Sequence, residues 1–162
     1  MNNIKYLIVV CLIFFNCSGP EPTVFSEEAL NDTFFTLDEK EVTFKSILEN
    51  ADESVVLIDI WASWCSDCVG NLPKVEALHQ EYQNVTYIFL SLDKNQEAWK
   101  KGIEKYNIQG QHYFMKSGWK GAFGSFLKLD WIPRYMIVDK QGNIKLYNAV
   151  QADDKKIKNL LK

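Results

Sequence analysis

Residues Val55 to Trp61 form a nearly continuous apolar run, interrupted only by Asp59, and Trp64-Cys65-Ser66-Asp67-Cys68 follows after two residues. A run of that kind is what a strand buried on both faces of a sheet looks like. Leu72, Val75, Leu78 and Tyr82 then recur at helical spacing, with Pro73 among them, so a helix is expected from near Cys65 to about Tyr82. The order buried strand, cysteine pair, helix confines the chain to folds in which a sheet strand feeds a helix at a reactive end.

A cysteine at a helix N-terminus lies beside unpaired backbone N–H groups and the positive end of the helix dipole. Both stabilise a thiolate, the form that attacks disulfides. Cys68 lies one turn inward, close enough to attack the resulting mixed disulfide and release a reduced substrate. A Cys-x-x-Cys pair can also be half of a zinc site, which would need two more Cys or His ligands. The chain offers His79 and His112, not in a ligand-like pair, so no metal is expected. The redox group is then the Cys65–Cys68 disulfide itself, with no separate cofactor.

Asp59 is a lone carboxylate in a strand otherwise built of Val, Leu, Ile and Trp. Desolvation there raises its pKa, which suits it to pass a proton to or from Cys68.

The remaining chain alternates strand and helix signals from about Thr33 onward. Phe34–Leu37 and Val42–Phe44 read as a hairpin, followed by a short helix on Phe44, Ile47 and Leu48. Val85–Leu92 reads as a second buried strand and Gln96–Tyr106 as a second helix, while Asn107–Lys120 reads as loop. Tyr135–Val138 and Asn143–Tyr147 read as strands paired across Lys140-Gln141-Gly142, and Asp153 as the cap of a last helix. The class is α/β, a central mixed sheet flanked by helices.

With 162 residues and 47% hydrophobic content the chain suffices for one domain. Its formal charge of −3, without a basic stripe, excludes nucleic acid as a main partner. Of four cysteines, Cys11 and Cys17 lie in an N-terminal apolar segment, so a disulfide framework through the fold is not indicated. Lys5 precedes the uncharged run Tyr6–Phe15, too short to span a bilayer and suited to a signal-peptide core. The stop at Asn16-Cys17 and the following Ser18-Gly19-Pro20-Glu21-Pro22 resemble a bacterial lipoprotein signal, which implies lipid attachment at Cys17. The expected division is 1–16 signal peptide, 17–32 flexible tether and 33–162 domain, facing the periplasm or cell envelope.

Asp59-Ile60-Trp61-Ala62-Ser63-Trp64-Cys65-Ser66-Asp67-Cys68 resembles the active-site segment of thioredoxins. Trp131-Ile132-Pro133-Arg134-Tyr135 resembles their cis-proline loop, and Asp139–Gly142 the turn that follows. The longer N-terminal part, the export signal and the inserted Gln96–Phe126 region are similar to the TlpA/ResA-type branch, envelope-facing relatives in the AhpC/TSA-like group. The resemblance covers Thr33 to Lys162. It implies a thioredoxin fold with an N-terminal β-hairpin extension and a central insertion, and a thiol-disulfide oxidoreductase activity.

The same resemblance assigns roles. Cys65 is the exposed attacking cysteine and Cys68 the buried resolving one. Pro133, if cis, sets Ile132 beside the sulfurs, where its backbone can pair with an extended substrate segment. Trp61 and Trp64 would pack beside the disulfide and shield it, although either can equally be core. Ser66-Asp67 stands where thioredoxins commonly carry Gly-Pro, and a carboxylate at Asp67 repels a Cys65 thiolate, making the pair more reducing. Asn71 stands where many TlpA/ResA-type proteins have Glu, which leaves more of the proton handling to Asp59. Arg134 could belong to a substrate-facing surface or be a solvated charge.

The implied partners are exported protein thiols and disulfides, a membrane electron donor, and the membrane itself through the lipid anchor; the working unit is expected to be a monomer. Three other readings compete. The same fold serves dithiol oxidases, since local electrostatics set the potential. A peroxiredoxin-like peroxidase wants an activated cysteine preceded by a Pro and Thr arrangement, missing around Cys65. A non-enzymatic envelope lipoprotein would be a binding module or a copper carrier, and the carrier wants a distal His and wider cysteine spacing.

Overall fold

Strand β3 (Val55–Trp61) is the middle of the molecule, with every residue after Val55 buried. In the computed structural model, which describes residues 19–51 and 54–162, a seven-stranded sheet runs in the order β2 (Glu41–Thr43), β1 (Thr33–Phe35), β5 (Gln111–Met115), β4 (Val85–Ser91), β3, β6 (Arg134–Val138) and β7 (Ile144–Ala149). The expected signal segment and Cys17 lie outside the described residues. β3 pairs in parallel with β4 (Val85–Ser91) and antiparallel with β6 (Arg134–Val138). Its apolar run is continuous because neighbours cover both edges and helices cover both faces.

Between β3 and β4 runs α3 (Ser66–Glu81), continuous through Pro73. Between β4 and β5 (Gln111–Met115) runs α4 (Gln96–Tyr106), capped by Asn95, whose side chain accepts from the Ala98 N–H. β7 (Ile144–Ala149) returns antiparallel to β6 across a turn in which Gly142, at φ 81°, takes the left-handed conformation that glycine adopts without cost. The last helix, α6 (Lys155–Leu161), lies along α3, bridged by Lys158–Glu81 and Lys74–Asp153.

Three expectations need correction. Residues 107–120 are not simply loop: Gln111–Met115 is a full sheet strand, parallel to β4 and antiparallel to β1 (Thr33–Phe35). The insertion therefore joins the sheet and then adds a single 3-10 turn (Gly118–Lys120) and α5 (Ala122–Phe126). The tether also ends earlier than residue 32. Helix α1 (Glu27–Leu30) packs on α5, and the Thr23 carbonyl accepts from the Ile144 N–H.

What holds that segment is aromatic. Phe25 meets Phe44 at 4.9 Å and Phe126 at 5.5 Å between ring centroids, and Phe44 meets Phe123 at 4.4 Å. Phe34 completes the cluster beneath the hairpin of β1 and β2 (Glu41–Thr43), with α2 (Phe44–Glu49) alongside. Burying a Phe fully contributes about 2–3 kcal/mol, and Phe25 is the residue of this segment that joins the aromatic cluster. Third, the cap of α6 is Asp154, which accepts from the Lys156 N–H, while Asp153 is the Lys74 partner.

Candidate active site

The C-terminal end of β3 and the N-terminal end of β6 lie at one end of the sheet, since Ile60 pairs with Arg134. Past β3 the chain turns, the Cys65 N–H donating to the Ala62 carbonyl, and α3 begins at Ser66 with Cys65 as its N-cap. The Cys68 backbone N–H donates to Cys65 Sγ at 3.1 Å, so the sulfur takes the place that a Ser or Asp oxygen takes in ordinary caps. Cys65 and Cys68 are joined as a disulfide with their Cα atoms 5.3 Å apart. Cys65 is 7% exposed and Cys68 2%, so the outer sulfur is the one within reach of a partner.

From the other side comes the loop before β6. The Ile132 carbonyl oxygen lies 3.6 Å from Cys65 Sγ, and the Ile132–Pro133 peptide bond is cis. Ile132 and Pro133 are both buried. Two loops distant in sequence thus meet at one sulfur.

Asp59 is buried in the middle of β3, opposite Phe89 on β4 and Tyr135 on β6. These register neighbours share one face of the sheet, and Phe89 also lines a groove with Val69 and Leu72 of α3, so this is the face that α3 covers. Asp59 Oδ1 has no hydrogen-bond partner, and burial pushes the carboxyl well above the usual carboxylate range. The Tyr135 hydroxyl is likewise buried without a partner; burial raises its pKa, and the Asp59 charge adds to this.

The tryptophans differ from the expectation. Trp61 is fully buried, and its ring reaches α4: a Cβ on Gly102 would sit 3.4 Å from Trp61 Cη2 and 2.5 Å from Ser63 Cβ. Gly102 therefore lets α4 approach the turn before Cys65. Trp64, by contrast, is 54% exposed. Arg134 is also corrected: it is buried, and its guanidinium donates to the Leu127 carbonyl and Asp130 Oδ1, tying down the loop before Trp131. Ser66 and Asp67 are exposed in the first turn of α3.

Two buried polar residues fix the turn and helix around the pair, Asn71, whose structural bond the sequence did not show, and Asp93, which the sequence reading missed. Asn71 is buried, donates to the Asp67 carbonyl and accepts from the Ala152 N–H, joining α3 to the segment before α6. Asp93 is buried beyond β4, and its carboxylate accepts from the Ser63 N–H, from Ser63 Oγ at 2.6 Å and from Ser91 Oγ at 2.9 Å. It fixes the turn that carries Trp64 and Cys65. Asp93→Ala is expected to cost about 2–3 kcal/mol in denaturant unfolding, because it leaves buried donors unpaired, and to slow disulfide turnover by loosening that turn. A sequence signal existed in an Asp closing an apolar strand, but its partner lies 30 residues earlier.

Among the described residues no three of His, Cys, Asp and Glu gather into a group able to hold a metal ion. A groove of about 700 Å³ between α3 and the Tyr106–Gln109 segment, over Phe89, includes neither cysteine. Chemically the site can hold a thiolate at a helix terminus and close it into a disulfide, and a protonatable carboxyl is buried in the strand that leads to it.

The family model described as thioredoxin-like matches residues 52–144. A 55-residue stretch, 34% of this chain, is 44% identical to the chloroplastic F-type thioredoxin of Spinacia oleracea and covers 28% of it. The chain thus spans less than a third of the length of the plant thioredoxins it matches. A solution structure from Bacteroides vulgatus, of a protein assigned as a thiol-disulfide oxidoreductase, is 26% identical with a TM-score of 0.67, covering 80% of this chain and 83% of that one. A secreted Mycobacterium tuberculosis disulfide oxidoreductase shares the fold at 17% identity and a TM-score of 0.61, over 83% of this chain and 95% of its own.

Proposed function

Because the chain belongs to the thioredoxin-like family, we propose that it is a thiol-disulfide oxidoreductase whose reactive group is the Cys65–Cys68 pair. The observation that carries this is the disulfide itself, formed between the N-cap and the first turn of α3 with the outer sulfur under the Ile132–Pro133 loop. In the reduced protein the Cys65 thiolate is held by the Cys68 N–H and the positive end of α3. It attacks one sulfur of a substrate disulfide and expels the other as a thiolate, leaving a mixed disulfide on Cys65. Asp59, as carboxylate, takes the Cys68 proton, and Cys68 attacks Cys65 Sγ. The second substrate thiol leaves; two electrons have passed from the pair to the substrate. Trp64, Ile132 and Pro133 form the surface against which the substrate segment lies.

The direction proposed is reduction of exported proteins, with a membrane protein returning electrons to the pair. What supports the location is the N-terminal sequence, with Lys5, the apolar Tyr6–Phe15 and Cys17 closing the run as a lipid-attachment site. What supports the direction is Asp67, in the first turn of α3, where its charge opposes a thiolate on the same helix end. Asp67→Asn is expected to favour the reduced pair and raise its potential by roughly 10–20 mV, the equivalent of one helix-terminus charge. Equilibration with dithiothreitol buffers reads this, and an unchanged or lower potential would remove Asp67 from the account. The activity is tested by following reduction of a disulfide-linked peptide by the chain with dithiothreitol as electron donor; a rate no higher than with dithiothreitol alone would refute it.

A further inference from the structure

The face of the sheet under α3 holds two buried polar side chains, on neighbouring strands, whose polar atoms go unanswered. Asp59 of β3 pairs directly with Tyr135 of β6. Residues so opposed in an antiparallel pair carry their side chains on one face, with Cβ atoms about 5 Å apart. Tyr135 is fully buried and Asp59 is 2% exposed, and neither the Tyr135 hydroxyl nor Asp59 Oδ1 has a hydrogen-bond partner. On its other edge Asp59 faces Phe89 of β4, whose ring carries no polar atom. Of the two register neighbours, then, only Tyr135 can answer a charge on Asp59.

A buried hydroxyl without a partner costs free energy that a phenylalanine in its place would not. A part in catalysis is one of the few reasons for a protein to keep such a group. The structure is that of the disulfide form, in which no proton is being moved and burial favours the protonated carboxyl.

Resting on the exchange reading above, we infer that Tyr135 is a positioning residue for proton transfer, its hydroxyl donating to the Asp59 carboxylate, directly or across one buried water, while Cys68 is deprotonated. The step needs no further reactant. The Cys68 Sγ proton passes to an Asp59 oxygen, the Cys68 thiolate forms its bond to Cys65 Sγ, and the substrate thiolate leaves. The hydroxyl keeps its own proton throughout. A hydrogen bond to a carboxylate stabilises it over the acid, so Tyr135 makes Asp59 available as a base at a lower pH than burial alone would allow.

The other titratable and charged groups around the pair have partners or lie further off. Cys68 is on α3, where Asp67 is exposed and His79 rests on the ring of Tyr87 of β4. His112 of β5 lies beyond Phe89, stacked on it, and burial lowers its pKa. Asp153, before α6, is paired with Lys74 of α3, and Asp93 with Ser63 and Ser91. Arg134 of β6 donates to the Leu127 carbonyl and Asp130.

For the test, the reduced full chain is mixed with excess dithiobis(nitrobenzoate). Attack by Cys65 releases one nitrothiobenzoate at a rate set by the reagent concentration, and resolution by Cys68 releases a second at a rate independent of it. The second rate is followed against pH in the parent, Tyr135→Phe, Asp59→Asn and the double variant. Its rise with pH in the parent reports the coupled Asp59 and Cys68 groups. Expected in Tyr135→Phe is a midpoint about one pH unit higher, the effect of losing one hydrogen bond to a charged group. Resolution should then be roughly tenfold slower below the midpoint and near parental above it. The first rate should not change, and the double variant should resolve as Asp59→Asn does. An unmoved midpoint, a loss equal at every pH, or a further loss in the double variant overturns the inference. If the parent gives no second release, the exchange reading has failed; if Asp59→Asn keeps the parental rate, the base role of Asp59 has failed. The inference falls with either.

Discussion

Asp59→Asn is expected to make the protein more stable at neutral and alkaline pH and a slower catalyst. The carboxyl is buried without a partner at Oδ1, and desolvation holds its pKa well above the usual range in the folded state. In the unfolded chain it returns to about 3.9. Between those two values the folded protein keeps a proton that the unfolded chain has released, so stability falls as pH rises. The fall is up to about 1.4 kcal/mol per pH unit, complete only above the folded-state pKa and absent below about pH 4. Asn has no such slope, so the stability gap between variant and parent should widen with pH through that window. Urea unfolding at several pH values reads it directly.

The catalytic loss has a separate origin. Asn cannot take the Cys68 proton, and removal of a positioned base costs about 100-fold or more. The loss should fall on resolution of the mixed disulfide rather than on its formation, which Cys65 carries out alone. A variant less stable than the parent at every pH, or one that resolves mixed disulfides at the parental rate, would contradict the role given to Asp59.

The second large effect separates the two cysteines. Cys68→Ser should capture a disulfide substrate as a lasting adduct on Cys65, visible as a mass increase that dithiothreitol removes. Cys65→Ser should form no adduct and fall to the uncatalysed rate, because Cys68 is almost fully covered and lies inside the first turn of α3. Adducts on Cys68 in the Cys65→Ser protein would reverse the assignment of attacking and resolving sulfur.

Much of this site is legible in the sequence because its parts are local. The apolar run Val55–Trp61, the pair three residues apart and the helical spacing after it sit within one stretch of chain. Asp59 stands out as the only charge in the run Val55–Trp61. What was not legible depends on contacts between distant segments. Gln111–Met115 has a weak alternation and becomes a strand because β4 and β1 supply partners on both edges. The segment near Phe25 is short and follows a Pro-containing stretch, and only Phe44, Phe123 and Phe126 give it a place to pack.

Charge misleads in the same way. Arg134 reads as substrate-facing or solvated, yet it is buried and donates to the Leu127 carbonyl and to the exposed Asp130. Trp61 and Trp64 look equivalent in sequence, three residues apart, but one points at Gly102 in the core and the other at solvent. A one-residue error between Asp153 and Asp154 as the helix cap arises because either side chain could serve, and the pairing of Lys74 with Asp153 decides between them.

The most direct test is to equilibrate the chain in graded dithiol/disulfide buffers, trap free thiols by alkylation and measure the oxidised fraction of Cys65 and Cys68 by mass. A single two-electron transition with a midpoint at or below about −230 mV is the result predicted for a reductant of exported proteins. A midpoint near about −120 mV would contradict the direction of electron flow, and the absence of any transition at this pair would contradict the central claim.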